Sequence, residues 1–155
     1  MKGNEQILQM LNDELADELT AVNQYIVHSE MCANWGLEKL HDAVEKRAIE
    51  EMKHAEKLIA RILYLEGRPV VSKLNPIHIG GEVAEQLHND YQSEQGAVKS
   101  YNAAVQLAAS LGDNGTRTLL ETILNDEEAH IDWLEAQLDQ IQLMGIENYL
   151  AQQVR

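Results

Sequence analysis

The sequence predicts an all-α protein built as a bundle of four long helices. Four segments carry apolar residues at three- and four-residue spacing and are rich in Leu, Ala, Glu and Gln, a pattern typical of helices. Both prolines fall in a single linker between the second and third segments. The chain has 155 residues, of which 45% are hydrophobic. That is enough for a substantial core, and we expect one domain over residues 1–155.

The helix-breaking residues set the expected bounds. Helices are predicted at about 5–34, 38–66, 82–111 and 116–144, followed by a short fifth helix at about 147–153. Asp113 or Asn114 is expected to cap the fourth helix, and Gly145 suits the position just past its end. The first and third linkers have only a few residues, so the helices that they join must be antiparallel.

The middle linker, GRPVVSKLNPIHIGG at residues 67–81, is much longer. Some 15 extended residues reach about 50 Å, whereas a helix of about 28 residues is about 42 Å long. The linker can therefore run the length of the bundle and leave the second and third helices parallel. Two antiparallel hairpins joined by one long crossover are the connectivity of a ferritin-like bundle.

Charge and cysteine content exclude several classes of function. Lys and Arg total 12 against 26 Asp and Glu, a formal net charge of −14. Nucleic acid and anionic membranes are thus excluded as partners, and cations are favoured. The single cysteine, Cys32, excludes an internal disulfide and a thiolate metal cluster. The N-terminus lacks a signal-peptide core and no stretch approaches the roughly 20 apolar residues of a membrane span, so we expect a soluble cytoplasmic protein.

Carboxylates and histidines interrupt the apolar stripe of every long helix. Glu18 interrupts the first stripe and Glu94 the third. In the second and fourth stripes a Glu and a His occur together, three residues apart, and therefore on one face of the helix. These two pairs are Glu51 with His54 and Glu127 with His130.

A Glu-x-x-His pair is weak evidence taken alone, because this chain has four of them. Glu85 lies about 180° around its helix from Glu94, so the Glu85/His88 pair is expected in solvent. The Glu38/His41 pair is similarly out of phase with its stripe, and we expect it in solvent as well.

The other two pairs stand apart because they belong to an internal repeat. A shift of 76 residues places Glu18 on Glu94, Glu51 on Glu127 and His54 on His130. The motif Glu-x-x-Ala-Val-x-x-Tyr occurs at 18–25 and again at 94–101. The two hairpins therefore look like copies related by a pseudo-twofold axis.

Four buried carboxylates need compensating charge, since each costs several kcal/mol in an apolar interior. Two divalent cations would balance four Glu carboxylates and two neutral histidines. The alternative, in which Arg47 pairs with Glu51 while protons and water serve the rest, offers one cation for four acids. Carboxylate and imidazole ligands without thiolate favour iron or manganese and tolerate zinc.

Such a pair of metals has a simple expected arrangement, which is that of ferritin-like di-metal carboxylate proteins. Glu51 and Glu127 would bridge the two metals, Glu18 with His54 would complete one end, and Glu94 with His130 the other. Tyr25 and Tyr101 lie two turns from Glu18 and Glu94 on the same faces. They are expected either to hydrogen-bond to these ligands or simply to pack in the bundle.

The chain resembles the bacterioferritins along essentially its whole length. The resemblance rests on MKGN at the start, NQYIVHSEMCANWGLEKL at 23–40, EEMKHAEKLIARILYLEG at 50–67, DEEAHIDWLEAQLDQIQLMG at 126–145 and IENYL at 146–150. It implies a ferroxidase that oxidises Fe²⁺ at a di-iron centre with O₂ or H₂O₂. It also implies storage of ferric mineral in a homo-oligomeric shell of 24 subunits built from twofold dimers, with a ferredoxin-type reductant as a candidate for iron release.

The resemblance also gives Met52 a function. On the helix Met52 lies about 100° from Glu51 and about 160° from His54, so it cannot share their metal. Bacterioferritins carry a methionine here that binds haem b between two subunits, whereas periodicity alone favours a packing residue of a subunit contact. The chain departs from the family at three positions. Lys46 and Glu50 stand where an accessory iron site often has His and Asp, and because a protonated lysine is a poor ligand we do not expect that site. Arg47 replaces a common acid one turn before Glu51, where it would either lower metal affinity or turn away to pair with an interface carboxylate.

Two other functions remain open at this point. A soluble di-metal oxidase or peroxidase resembling rubrerythrin would need neither a shell nor a mineral, but the missing CxxC pairs and the IENYL tail argue against it. A non-catalytic haem-binding or structural bundle would leave the repeated Glu and His residues unexplained.

Overall fold

The computed structural model describes all 155 residues, Met1–Arg155. It contains five helices and no strand, which confirms the all-α prediction. None of the five combines the length and the apolar character that crossing a lipid bilayer requires. The helices are α1 (Glu5–Asn34), α2 (Glu38–Tyr64), α3 (Val83–Ser110), α4 (Asn114–Met144) and α5 (Ile146–Ala151).

Side-chain caps fix where two of the helices begin. The Asn4 side chain accepts a hydrogen bond from the backbone N–H of Gln6 at 2.7 Å and caps α1. Asp113 accepts one from the backbone N–H of Thr116 at 3.1 Å, so α4 begins at Asn114, two residues before the predicted start. Gly145 has a φ of 81°, a left-handed conformation that lets the chain leave α4 and enter α5 at once.

The four long helices have the ferritin-like connectivity expected from the linkers. The α1–α2 and α3–α4 hairpins have short connections and are antiparallel. Tyr25 of α1 contacts Glu94 of α3, and further along, Tyr101 of α3 contacts Glu18 of α1. These two contacts make α1 antiparallel to α3, so α2 and α3 run parallel and the chain between them must cross the bundle.

The crossover lies against α1 and is held there by hydrogen bonds. Four of its backbone N–H groups donate to side chains spaced along α1, at distances of 2.8 to 3.1 Å. These pairs are Val70 with Asn12, Asn75 with Thr20, His78 with Gln24 and Gly80 with His28. From Asn12 to His28 the attachment covers about 24 Å of helix at 1.5 Å per residue. The linker therefore forms a fixed strap along α1.

Two apolar clusters fill the bundle on either side of its middle. One contains 13 buried residues, among them Leu11, Leu58 and Leu120. The other contains seven, among them Leu40, Leu87 and Tyr149, the last of which brings α5 into the core. Between the clusters the bundle interior is polar, and this is the level at which the candidate ligands lie.

Candidate metal centre

The structure brings all six metal-ligand candidates together in the middle of the bundle. Every one is buried, with at most 2% of its surface exposed. The α1–α2 hairpin supplies Glu18, Glu51 and His54, and the α3–α4 hairpin supplies Glu94, Glu127 and His130. Each long helix therefore contributes to the centre, as the interrupted stripes require.

The six residues form two overlapping groups of possible ligands. Within each group the ligand atoms all lie within 4.8 Å of one another. One group is Glu18, Glu51, His54 and Glu127, and the other is Glu51, Glu94, Glu127 and His130. Glu51 and Glu127 belong to both groups, which is the position of bridging ligands. Metal binding by these residues stays a prediction.

Both histidines direct Nδ1 into the centre. His54 Nδ1 lies 3.0 Å from Glu127 Oε1 and 3.6 Å from Glu18 Oε1. His130 Nδ1 lies 3.0 Å from Glu51 Oε1 and 3.5 Å from Glu94 Oε1. The Glu three residues before each histidine lies farther away, at 3.8 Å for His54 and 3.9 Å for His130. Each histidine is therefore closer to a carboxylate of the other hairpin than to the Glu of its own Glu-x-x-His pair.

The outer nitrogen of each histidine is held by a further carboxylate. His54 Nε2 lies 2.8 Å from Asp126, and His130 Nε2 lies 2.5 Å from Glu50. Such carboxylates fix the orientation and tautomer of metal-binding histidines. Neither residue was predicted for this role. The repeat contained the signal, because a shift of 76 places Glu50 on Asp126.

Two buried tyrosines orient the outer carboxylates. The Tyr25 hydroxyl donates to Glu94 Oε1 and the Tyr101 hydroxyl donates to Glu18 Oε1, both at 2.5 Å. The sequence placed each tyrosine beside the Glu of its own helix, and this detail was wrong. The hydrogen bonds cross between α1 and α3, because the antiparallel packing brings each tyrosine level with the acid of the other helix.

Arg47 points away from the centre, so it does not neutralise Glu51. Its guanidinium lies 3.0 Å from Glu50 and 5.6 Å from the centre of the Trp133 ring. Lys46 is exposed. Since Glu50 is already engaged by Arg47 and His130, the structure gives no support to the accessory site at Lys46 and Glu50.

The two remaining Glu-x-x-His pairs lie away from the centre. Glu85 and His88 are both exposed, as predicted. Glu38 is exposed too, but His41 is half-buried, and its Nδ1 donates to the backbone carbonyl of Ser29 at 2.9 Å. The prediction that His41 faces only solvent was therefore wrong, because the end of α1 covers one edge of its ring.

Burial and mutual repulsion dominate the electrostatics of the centre. Burial, together with the carboxylates of neighbouring glutamates, raises the pKa of Glu51 and of Glu127 well above the ordinary value. Burial would lower the pKa of His54, but the carboxylates of Glu127 and Glu18 beside it raise that pKa instead. Protons therefore stabilise the centre in the absence of metal, and a cation that binds must displace them.

The donor set fits divalent iron for two reasons: it consists of carboxylate and imidazole groups, and some of its buried polar atoms have no hydrogen-bond partner. Each of the six residues keeps one buried oxygen or nitrogen atom that makes no hydrogen bond, since the 3.0 Å contacts of the two Nδ1 atoms with Glu127 and Glu51 lack hydrogen-bond geometry. Buried polar atoms without partners are rare in folded proteins and cost free energy. The unsatisfied atoms are Glu18 Oε2, Glu51 Oε1, His54 Nδ1, Glu94 Oε2, Glu127 Oε1 and His130 Nδ1. Cations bound among them would satisfy all six.

A cavity of about 250 Å³ leads to the centre between α1, α3 and the crossover. Glu18, Glu51, Glu94 and Glu127 lie at its inner end. Small residues on the facing helices, such as Gly96, leave room for it, since no atom lies within 4 Å of a Cβ built there. Polar side chains including Asp17, Asn75 and Gln92 line the rest.

A fifth buried glutamate, Glu14, lies one turn before Glu18 on α1. Only 3% of its surface is exposed, and Ser100 of α3 donates to one of its carboxylate oxygens. Burial raises its pKa to about 8. The sequence analysis missed Glu14 because it lies beside the apolar stripe of Leu11 and Leu15 and has no histidine near it.

The chain is similar to known proteins over nearly its whole length. A family model for the ferritin-like domain matches residues 8–144. The chain is 40% identical over 149 residues to a bacterioferritin from Rhodobacter capsulatus and 42% identical over 149 residues to one from Brucella melitensis; each match covers 96% of this chain and 92% of the relative. It is 40% identical over 152 residues to a bacterioferritin from Mycolicibacterium paratuberculosis, covering 98% of this chain and 96% of that one.

Glu14 should make stability depend on pH. The folded state keeps its proton up to about pH 8, whereas the unfolded chain releases it near 4.5, so wild-type stability falls as pH rises between these values. Glu14→Gln stays neutral throughout. We expect its free energy of unfolding to exceed that of the wild type by roughly 2–4 kcal/mol at pH 8 and to match it near pH 4.5.

Denaturant titration of the metal-free protein at several pH values measures this difference. The control is Glu5→Gln, an exposed acid on the same helix, which should leave the pH profile unchanged. A Glu14→Gln profile parallel to that of the wild type would contradict the assignment.

Proposed function

We propose that this chain, which belongs to the bacterioferritins of the ferritin-like family, oxidises ferrous iron at its buried centre and stores the product as ferric mineral. One observation carries the proposal. Each of six buried side chains from four helices presents an unsatisfied donor atom to the same small volume. Family membership supports iron storage, and the donor set suits a di-iron centre.

The side chains have distinct functions in this reaction. Glu51 and Glu127 would bind both ions, while His54 and His130 would each bind one through Nδ1. Asp126 and Glu50 accept hydrogen bonds from the outer nitrogens of the histidines, which leaves the Nδ1 lone pairs free for metal. Ferrous iron is the substrate, and two ions held side by side can together deliver two electrons to one molecule of dioxygen or peroxide.

The tyrosines and the cavity complete the proposed mechanism. The hydroxyl groups of Tyr25 and Tyr101 hold Glu94 and Glu18 in position, so these carboxylates need little reorganisation when iron binds. The cavity at Asp17 and Asn75 offers ferrous ions and the oxidant a polar path to the centre. The acidic character of this path favours cations.

The rubrerythrin-like alternative is less well supported. The resemblance to bacterioferritins extends over at least 96% of the chain for the relatives compared above, and it includes the C-terminal region. In that region α5 packs against the bundle, since Tyr149 is fully buried and its hydroxyl donates to Gln137 of α4 at 2.6 Å. A cytoplasmic location and a ferredoxin-type reductant stay predictions from the sequence.

Removal of the two bridging carboxylates should abolish rapid iron oxidation. We expect Glu51→Ala/Glu127→Ala to lose more than the ~10–100-fold that loss of an outer-shell partner typically costs, because no other side chain reaches both metal positions. Absorbance of the ferric product after addition of Fe²⁺ in air measures the rate, and circular dichroism checks that helicity is kept.

The matched control is Glu56→Ala/Glu128→Ala. It removes the same number of charges from the same two helices at exposed positions. An unchanged rate in the bridging variant, or an equal loss in the control, would overturn the proposed site.

We also propose that Met52 binds haem b between two subunits. Met52 is 44% exposed and lies on the outer face of α2, whereas the adjacent Glu51 points into the bundle. Ile49 on α2 and Ile26 on α1 are each 41% exposed. An apolar face of this kind suits a subunit interface. Two copies related by a twofold axis would bring two Met52 thioethers together, and these would hold the haem between the subunits.

Replacement of Met52 by leucine should therefore remove haem and leave iron oxidation in place. Leucine keeps the apolar character and approximate volume of methionine but has no sulfur donor. We expect the haem absorbance band of the purified protein to be lost in Met52→Leu and kept in Met144→Leu, which changes another exposed methionine. Retention of the band in Met52→Leu would show that another residue binds haem.

The family supports an oligomeric shell, and we propose 24 subunits. Large apolar side chains remain exposed on the crossover and at the end of α4, including Val71 at 58% and Leu143 at 86%. Contacts with neighbouring copies would bury them.

Light scattering should give a mass of about 420 kDa, which is 24 times the 17.5 kDa of one chain, and an iron core should form on addition of Fe²⁺ in air. A stable monomer or dimer without a core would favour the rubrerythrin-like alternative.

A further inference from the structure

The internal repeat continues beyond the metal centre to a second pair of buried acids. A shift of 76 places Glu14 on Asp90 and Gln24 on Ser100. Glu14 and Asp90 are each 3% exposed. Gln24 donates to Asp90 at 2.9 Å, and Ser100 donates to Glu14. The two acids therefore occupy equivalent places and have one equivalent hydrogen bond each.

Their second partners differ. His28, which is 1% exposed, donates from Nδ1 to Asp90 Oδ1 at 2.9 Å. The outer nitrogen of this imidazole accepts the backbone N–H of Gly80, so the crossover strap covers the ring. The same shift places Ala104 at the position of His28. Glu14 thus has only a methyl group where Asp90 has an imidazole.

The missing imidazole leaves both an unsatisfied atom and a space. Glu14 Oε2 is buried and makes no hydrogen bond. Beside it lies a cavity of about 220 Å³, lined by Ala104, its neighbour Ala103, and Met10 and Leu107. Asp13, whose side chain is 55% exposed, lies at the opening of the same cavity, 3.9 Å from Lys73 of the crossover. The crossover covers the ring of His28, but none of its residues lines the cavity beside Glu14, so this chain leaves the cavity open.

We propose that this cavity binds a nitrogen base of imidazole size, with a ligand N–H donating to Glu14 Oε2 as His28 donates to Asp90. The apolar side chains of Met10 and Leu107 would pack against the ring. Asp13 already lies beside Lys73, so Glu14 is the acid left to bind the ligand. The ligand is either a free small base or the histidine side chain of a neighbouring copy, since both offer the same chemistry. This site is separate from the iron centre and does not depend on its activity.

Imidazole itself is the first probe. Saturation-transfer NMR on the metal-free, haem-free assembly should detect imidazole bound to the wild type. Glu14→Gln should bind at least ~10-fold more weakly, because Glu14 can give its proton to imidazole and then pair with the resulting cation, whereas a neutral amide cannot. Glu5→Gln, which changes an exposed acid of the same helix, should bind as the wild type does. Equal binding by the wild type and Glu14→Gln would overturn the proposal for a free ligand.

Ala104→His tests the same site from within the chain. The new imidazole should reach Glu14, raise the thermal midpoint by several degrees more in the wild-type background than in the Glu14→Gln background, and prevent imidazole from binding. An equal effect of Ala104→His in the two backgrounds would contradict the proposed geometry. If the histidine is too large to fold in place, the imidazole titration of the wild type still decides the question.

The assembly state separates the two sources of the ligand. A free base should saturate the wild type without changing the size of the assembly. A histidine from a neighbouring copy would already fill the cavity, so the wild type would not bind free imidazole, and Glu14→Gln would weaken the assembly measured by light scattering. An unliganded cavity together with an assembly unaffected by Glu14→Gln would refute both forms of the proposal.

Discussion

Burial of four carboxylates and two histidines at one level of a helical bundle is the constraint on which the rest of the structure depends. Each of these groups would cost several kcal/mol to bury alone. The bundle tolerates them because two apolar clusters, one on each side, hold the four helices together. The helices therefore need not separate to relieve the repulsion, and the centre must accept protons or cations instead.

The pseudo-twofold axis explains how a chain of this length builds such a centre. One hairpin cannot enclose a two-metal site, since it has only three of the six ligands. The second hairpin, which is similar to the first, supplies the other three ligands, and each hairpin places ligands beside those of the other. His54 approaches Glu127 and His130 approaches Glu51, while Tyr25 and Tyr101 reach across between α1 and α3. These contacts join the two hairpins in addition to preparing the site.

The sequence alone could predict the connectivity and the six candidate ligands, because both follow from periodicity, linker length and the repeat. The sequence could not predict which atoms meet between neighbouring helices. Glu18 and Tyr25 share a helix face, but the hydrogen bond of Tyr25 goes to Glu94 of α3 and not to Glu18. This choice depends on how α1 and α3 are aligned along their axes. Burial of Glu14 depends on the same register, since the acid lies outside the apolar stripe and is covered by α3. Glu50 and Asp126 could have been found, because the shift that relates the ligands relates them too.

The places where the repeat fails are as informative as those where it holds. A single polypeptide has one crossover, and it can cover only one of two equivalent surfaces. His28 lies beneath this strap and makes hydrogen bonds to Asp90 on one side and Gly80 on the other. At the equivalent position no crossover residue lines the cavity, so an imidazole at Ala104 would have no crossover N–H to bind its outer nitrogen. The asymmetry of the connection thus parallels the difference in sequence, since the position beneath the crossover is a histidine and its equivalent an alanine, whereas the acid and its hydrogen-bond donor occur at both. A buried acid that keeps a donor but lacks a counter-charge must either hold its proton, as Glu14 does up to about pH 8, or take a partner from outside the chain.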